Sequence, residues 1–263
     1  MNPDERGGGS LRGRQALVTG STGGIGLAVA EALASQGCTI LLHGLATEAE
    51  AAPALAAVAA RGVEVRYHRA DLTDLAAIAA LVAAAAPDIL VNNAATRHFG
   101  PVEGTAPEAW DMDIAVNLSA AFHLLRLALP GMRRRGWGRV LNMSSIYGLV
   151  GTAGRVGYVT TKTALIGLTR AVALETAESG ITCNALCPGS TLTPNIEERL
   201  RAAMAAGGLG RTAAEAQFLT GKQPTGRFVQ AEAVGAMAAF LCGEAGRDIT
   251  GAVLPIDGGW SAA

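Results

Sequence analysis

The chain has 263 residues, half of them hydrophobic and only 16% charged, which is the composition of one globular domain with a large core. Lys and Arg number 21 against 22 Asp and Glu, so a formal charge of −1 gives no electrostatic pull toward nucleic acid or an anionic membrane. The 34 glycines fall in short clusters between apolar segments with no every-third period, which excludes collagen-like and low-complexity chains.

Residues 1–10 read as a flexible tail, because Asp4, Glu5 and Arg6 precede three glycines where a secretory leader would need an apolar stretch. Residues 11–263 read as one domain. Its longest apolar run, Ala76 to Ala86, is mostly alanine and far short of the roughly 20 residues that span a bilayer. A soluble protein with no membrane partner is expected. Cys183 and Cys187 lie four apart in a strand-like segment, about 13 Å along the chain, too far for a disulfide. With no C-x-x-C pair and four scattered histidines, neither a metal site nor an oxidised scaffold is expected, and a reducing cytoplasm is the simplest compartment.

In chain order, strands are predicted at Gln15–Thr19, Thr39–His43, Val63–Arg69, Ile89–Val91, Arg139–Met143, Ile181–Leu186 and Val253–Ile256. Helices are predicted at Ile25–Gln36, Glu48–Ala60, Asp74–Ala85, one long stretch from Pro107 to Arg135, Tyr158–Glu178 and Ala231–Leu241. Strands that alternate with helices imply a parallel sheet covered on both faces, since each parallel connection needs a crossover long enough for a helix. The expected fold is a single-domain, Rossmann-type, doubly wound α/β sheet of about seven strands. The rhythm breaks at 189–225, where Pro194, Gly207, Gly208, Gly210, Gly221 and Pro224 interrupt two short helical patches. A break of this length reads as a lid or substrate loop. Arg133, Arg134, Arg135 and Arg139 read as a solvated helix end, where cations offset the C-terminal dipole, and not as a nucleic-acid site.

The chemistry begins after the first strand, at Thr19-Gly20-Ser21-Thr22-Gly23-Gly24-Ile25-Gly26. Glycines between a strand and a helix N-terminus let the backbone approach a phosphate and offer it free N–H groups. Further on come Asp71 after the third strand, Asn92-Asn93-Ala94-Ala95 after the fourth, and Tyr158-x-x-x-Lys162. Tyr158 and Lys162, four apart, share one helix face, and an ammonium beside a phenol favours the phenolate.

With these motifs in this order, the chain from Arg14 to Trp260 resembles the short-chain dehydrogenase/reductase family. The resemblance implies an enzyme with a tetrad of Asn117, Ser145, Tyr158 and Lys162: Tyr158 as acid/base, Ser145 bonded to the substrate oxygen, Asn117 positioning a water. Ser144 competes with Ser145 for the serine role. It also implies that Gly20, Thr22, Gly24, Ile25 and Gly26 hold a dinucleotide pyrophosphate, that Asp71 and Leu72 contact the adenine, and that Asn92, Ala94, Tyr158, Lys162, Pro188 and Gly189 flank the rest. A homotetramer of 222 symmetry is the family expectation. Ala95 departs from the family's Asn-Asn-Ala-Gly. The second strand ends His43-Gly44-Leu45-Ala46-Thr47, with no cation to neutralise a ribose 2′-phosphate, so NAD is expected over NADP. His43 is expected to cap the strand end as a neutral imidazole.

Within the family, the segments 90–103, 128–132, 136–139, 172–178 and 180–189 look most like D-3-hydroxybutyrate dehydrogenases. The pocket departs from that group: where it has Gln, His, Lys, Trp and Gln around the substrate, this chain has Arg97, Tyr147, Arg155, Ser190 and Arg199. Trp260 is an active-site wall or an interface residue. Arg155 and Arg199 also resemble the sulfonate-binding arginines of 2-(R)-hydroxypropyl-coenzyme M dehydrogenase. The expected reaction is interconversion of a small anionic secondary alcohol and its ketone, with a hydroxysulfonate or bulkier hydroxy acid as alternative substrate. Pairing of the arginines with Glu197 or Glu198, and an NAD-sensing protein without turnover, are the competing readings.

Overall fold

The apolar runs become seven strands in a computed structural model that describes residues 11–263; the expected tail at 1–10 lies outside these residues. They are β1 (Gln15–Val18), β2 (Thr39–Gly44), β3 (Val65–Arg69), β4 (Ile89–Asn92), β5 (Gly138–Met143), β6 (Ile181–Pro188) and β7 (Val253–Ile256). All pair in parallel, in the order β3-β2-β1-β4-β5-β6-β7. The helices are α1 (Gly24–Ser35), α2 (Glu48–Ala59), α3 (Leu75–Ala85), α4 (Pro107–Ile114), α5 (Ala120–Arg135), α6 (Val156–Thr176), α7 (Pro194–Gly207), α8 (Arg211–Leu219) and α9 (Ala231–Cys242).

Successive strand residues feed opposite cores, as the period of two requires. Ala16, Val18, Ile40, Leu42, Ile89, Val91 and Leu141 pack with α1 and α9 on one face. Leu17, Leu41, Leu90 and Val140 pack with α3 and α5 on the other. The order reverses at β1, which pairs with both β2 and β4. The chain therefore leaves a crevice beyond the carboxyl ends of β1 and β4, the place where open α/β sheets bind ligands.

Three expectations are corrected. The long helix of 107–135 is two helices joined by a π-helical turn at Ala115–Ser119. By length and composition this stretch is enough to cross a membrane, contrary to the expectation from Ala76–Ala86. In the fold, its residues Ala120, Leu124, Leu125, Ala128 and Met132 are buried in the core against the sheet. Arg139 does not belong to a solvated helix end. It lies in β5, buried, 4.5 Å from the Trp137 ring, and donates to the Gly138 carbonyl (2.8 Å). Arg133 and Arg135 do close α5, bonding to the Glu175 carbonyl and to Asp88.

The stretch 189–225 folds as α7 and α8, with its own small core of Ile196, Leu200, Ala214, Leu219 and Phe228. Thr193 caps α7, with Pro194 in its first turn, where a missing N–H costs nothing. Buried Gln223 ties this unit to the sheet: its Oε1 accepts from the Ser190 N–H and its Nε2 donates to the Arg227 carbonyl.

Candidate active site

The glycine turn and α1 are packed too tightly for side chains on one side and are open on the other. A Cβ on Gly26 would lie 2.3 Å from the Gly20 carbonyl oxygen, so only glycine fits there. A Cβ on Gly23 would meet nothing within 4 Å, and no side chain caps the helix. Uncapped N–H groups at the positive end of a helix dipole, on an open glycine surface, fit the pyrophosphate of a dinucleotide. Gly24, Ile25 and Gly26 would offer it their N–H groups, and Gly20, whose own N–H is given to His43, would let it approach the turn; Ile25 also lines the cleft beyond.

The residues expected at the adenine end lie at the ends of β2 and β3. Thr22 lies against Gly44, where a Cβ would come 3.1 Å from its Cγ2. His43 is buried; its Nδ1 accepts from the Gly20 N–H (3.2 Å) and its Nε2 donates to the Ala70 carbonyl (3.0 Å). Burial pushes its pKa down to about 4, so at neutral pH the ring is uncharged. Asp71 accepts from the Thr73 N–H (2.9 Å) and hydroxyl (2.8 Å), and these bonds hold its carboxyl below the usual range. The Leu72 side chain is in the core.

After β4 the structure redistributes the expected roles. Asn92 is buried and donates to Asn142 Oδ1 (2.8 Å), tying β4 to β5. It is Asn93 that lines the cleft, with its Nδ2 donating to the carbonyls of Thr19 and Gly20 (both 2.9 Å). Ala94 packs against the glycine turn and donates its N–H to Thr19 Oγ1 (3.1 Å).

Asn117 sits in the π-turn and is buried behind the cleft. Its Oδ1 accepts from the Thr96 N–H (2.7 Å), and its Nδ2 donates to the Thr96 carbonyl (3.1 Å) and to Thr161 Oγ1 (3.2 Å). The side-chain amide thereby ties the segment after β4 to α6.

The residues expected to react lie on α6 and at the end of β5. Tyr158 is in the first turn of α6, which can approach α4 because residue 157 is glycine: a Cβ there would lie 2.6 Å from Asp113 Oδ2. Lys162, one turn on, is almost wholly buried, and its Nζ donates to the Met143 carbonyl (2.7 Å) and lies 5.5 Å from the Tyr158 ring centre. Burial raises the Tyr158 pKa, but Lys162, Arg97 and a hydrogen bond with Ser145 outweigh it and bring the phenol below its ordinary value. Burial lowers Lys162 as well. Of the two candidate serines, Ser144 donates to the Lys162 carbonyl (2.7 Å) and fastens α6, whereas Ser145 is the one beside Tyr158.

One cleft brings together Arg97, Ser145, Tyr147, Arg155, Tyr158, Lys162, Pro188, Gly189, Ser190, Arg199 and Trp260. Trp260 meets Tyr147 edge-on, with ring centres 5.4 Å apart, and is held by a turn in which Asp257 accepts the Gly259 and Ser261 N–H groups. The Arg97 guanidinium lies 5.0 Å from the Tyr158 ring centre. Sequence reasoning missed Asn93, Thr193, Phe218 and Lys222. Phe218 and Lys222 were inside the flagged break, but which of its residues turn inward depends on how α7 and α8 pack.

A family model described as short chain dehydrogenase matches residues 14–203. The chain belongs to the short-chain dehydrogenase family. It is 45% identical over 257 residues to a D-beta-hydroxybutyrate dehydrogenase of Cupriavidus necator, covering 96% of this chain and 99% of that protein. It is 40% identical to the enzyme of the same name from Rhizobium meliloti, covering 95% and 99%. Among solved structures it is similar to a putative 2-deoxy-D-gluconate 3-dehydrogenase of Agrobacterium tumefaciens with bound NADP, with a TM-score of 0.86, 32% identity and coverage of 97% and 98%. This short-chain dehydrogenase is thus an oxidoreductase of CH–OH groups, and its glycine turn fits the nicotinamide dinucleotide such enzymes use.

Proposed function

We propose that this protein is an NAD-dependent dehydrogenase that interconverts a small anionic secondary alcohol, a hydroxy acid of the 3-hydroxybutyrate kind, and its ketone. The observation that carries this reading is a Tyr158–Lys162–Ser145 site opening onto a cleft that bears Arg155 and Arg199 and no carboxylate among its lining residues. In oxidation, Tyr158 as phenolate takes the hydroxyl proton while Ser145 Oγ holds the substrate oxygen by a hydrogen bond. A nicotinamide dinucleotide held by the glycine turn would supply the hydride acceptor, and the hydride donor in reverse. Lys162 lies beside the phenolate and favours it, and the guanidinium forks of Arg155 and Arg199 fix the acid group so that the carbinol faces Tyr158.

NAD preference rests on the β2 end, where buried, neutral His43 is followed by Gly44 and Leu45. Arg69 lies across from Gly44 in the sheet register and faces Glu50, whose carboxylate is held ionised chiefly by Thr47 and also by Arg69. Comparing kcat/KM for NAD and NADP tests this; a higher value with NADP overturns it and points to Arg69.

The substrate reading is tested with hydroxy acids, hydroxysulfonates and neutral alcohols of equal size, followed by NADH absorbance. Arg155→Ala should lower kcat/KM for anions by well over tenfold, since a lost charged hydrogen bond in a site costs about 2–5 kcal/mol, and should leave the neutral alcohols far less affected. Equal losses on both kinds, or a native preference for neutral alcohols, refutes it. A hydroxysulfonate or a bulkier hydroxy acid is the second reading, favoured by small Ser190 in the cleft.

A further inference from the structure

We infer that the substrate of this site carries two negative charges, and that Lys222 is the residue that selects for the second. The inference rests on the reading of the cleft as a site for an anionic alcohol and narrows its substrate class.

Three cations line the cleft besides those committed to Tyr158: Arg155, Arg199 and Lys222. They come from separate parts of the chain, the start of α6, the middle of α7 and the turn after α8. Lys222 Nζ lies 3.9 Å and the Arg199 guanidinium 5.1 Å from the centre of the same ring, Phe218. Arg155 lies 5.1 Å from the Tyr147 ring centre and 4.7 Å from that of Phe99. Aromatic faces leave the polar edges of these cations available for a ligand.

No acidic side chain answers them. Among the described residues none of the three makes an ion pair, and nearby Glu197 is engaged by Arg201 (3.7 Å) and Arg211 (2.6 Å). Among the described residues Lys222 makes one side-chain hydrogen bond, to the Phe218 carbonyl (2.5 Å). Half burial, together with repulsion from Arg155 and Arg199, makes protonation of Lys222 harder than in water, so the cations crowd one another. The arrangement is held in place: the adjacent Gln223 is buried and clamps Ser190 and Arg227, and the Lys222 N–H donates to the Leu219 carbonyl (2.9 Å).

Two guanidinium forks and an ammonium offer far more donors than the roughly four acceptor sites of one carboxylate can satisfy. One monoanion would leave two positive charges facing each other in a half-enclosed cleft. A second acidic group on the substrate relieves that repulsion and uses the spare donors. The ligand chemistry is therefore a hydroxy acid with a further carboxylate, or an equivalent doubly charged group.

The test uses the full chain with NAD and a short series of hydroxydicarboxylates of increasing length, each compared with its own monomethyl ester. The ester loses one charge and adds one methyl group, and the next longer diacid of the series controls for the added size. We expect kcat/KM to favour at least one diacid over its ester by about tenfold or more, as a charged hydrogen bond would give. Lys222→Met should cut that ratio by about tenfold, and Lys222→Arg, which keeps the charge, should retain most of it. The inference is overturned if every ester equals or beats its diacid, if Lys222→Met lowers diacid and ester alike, or if it chiefly raises the Kd for NADH. The last result would assign the ammonium to the cofactor phosphates. Esters and neutral alcohols turned over equally well would instead refute the broader anionic-alcohol reading, so the two failures are distinguishable.

Discussion

Arg97→Gln is the sharpest probe of how the site favours a tyrosine phenolate. The Arg97 guanidinium carbon lies 5.0 Å from the Tyr158 ring centre, and no carboxylate pairs with it among the described residues. A unit charge at that distance stabilises a phenolate by about 3 kcal/mol at an effective dielectric of about 20, and by under 1 kcal/mol in bulk water. Arg97 is exposed, so solvent screens it and the lower half of that range applies, about 1–2 kcal/mol. Removing the cation favours the neutral phenol and raises the Tyr158 pKa. Alcohol oxidation needs the phenolate, so the rising limb of kcat/KM must move to higher pH. At a fixed pH below the limb the rate should fall about 5- to 30-fold and recover as the pH is raised. The assay is a pH profile of kcat/KM for native, Arg97→Gln and Arg97→Lys enzymes. Arg97→Lys keeps the charge and should keep most of the native limb. A limb that does not move, with KM raised evenly at every pH, would show that Arg97 only binds substrate and would refute the electrostatic argument.

Tyr158→Phe should lower kcat by about 10²–10⁴-fold with NADH still bound, as fluorescence titration would show, because the general acid/base is lost while the glycine turn is intact. Lys162→Ala should impair both turnover and NADH affinity; an effect confined to thermal stability would reduce it to a structural residue. Gly26→Ala forces a Cβ to within 2.3 Å of the Gly20 carbonyl, so overpacking should cost about 1–3 kcal/mol or more, read as a lowered Tm and lost NADH binding. The same change at Gly23, where a Cβ meets nothing, should leave Tm nearly unchanged.

The sequence by itself determined the layered α/β architecture, because strands buried on both faces must be continuously apolar and the crossovers between them must be helical. Gln15–Val18, Thr39–Gly44 and Ile181–Pro188 announce themselves in that way. The glycine turn and the Tyr158–Lys162 pair were equally legible, since each needs only a local geometry: a turn at a helix start, or a spacing of one helical turn. What depended on tertiary packing was not legible. The π-turn at Ala115–Ser119 adds less than one turn to an otherwise helical pattern, so 107–135 keeps its periodicity while the buried face is rotated between α4 and α5. That rotation points Asn117 at Thr96 and Thr161. Likewise Asn92 and Asn93 are adjacent and alike in sequence, and only the pairing of β4 with β5 sends the first to Asn142 and leaves the second at the cleft. Lys222 and Phe218 lie in a segment without sheet or long-helix register, so their place beside Arg155 and Arg199 was decided by the packing of α7 and α8 and by the Gln223 clamp. A side chain's periodicity says which face of its own element it occupies; which other element that face meets is set by contacts between residues far apart in the chain.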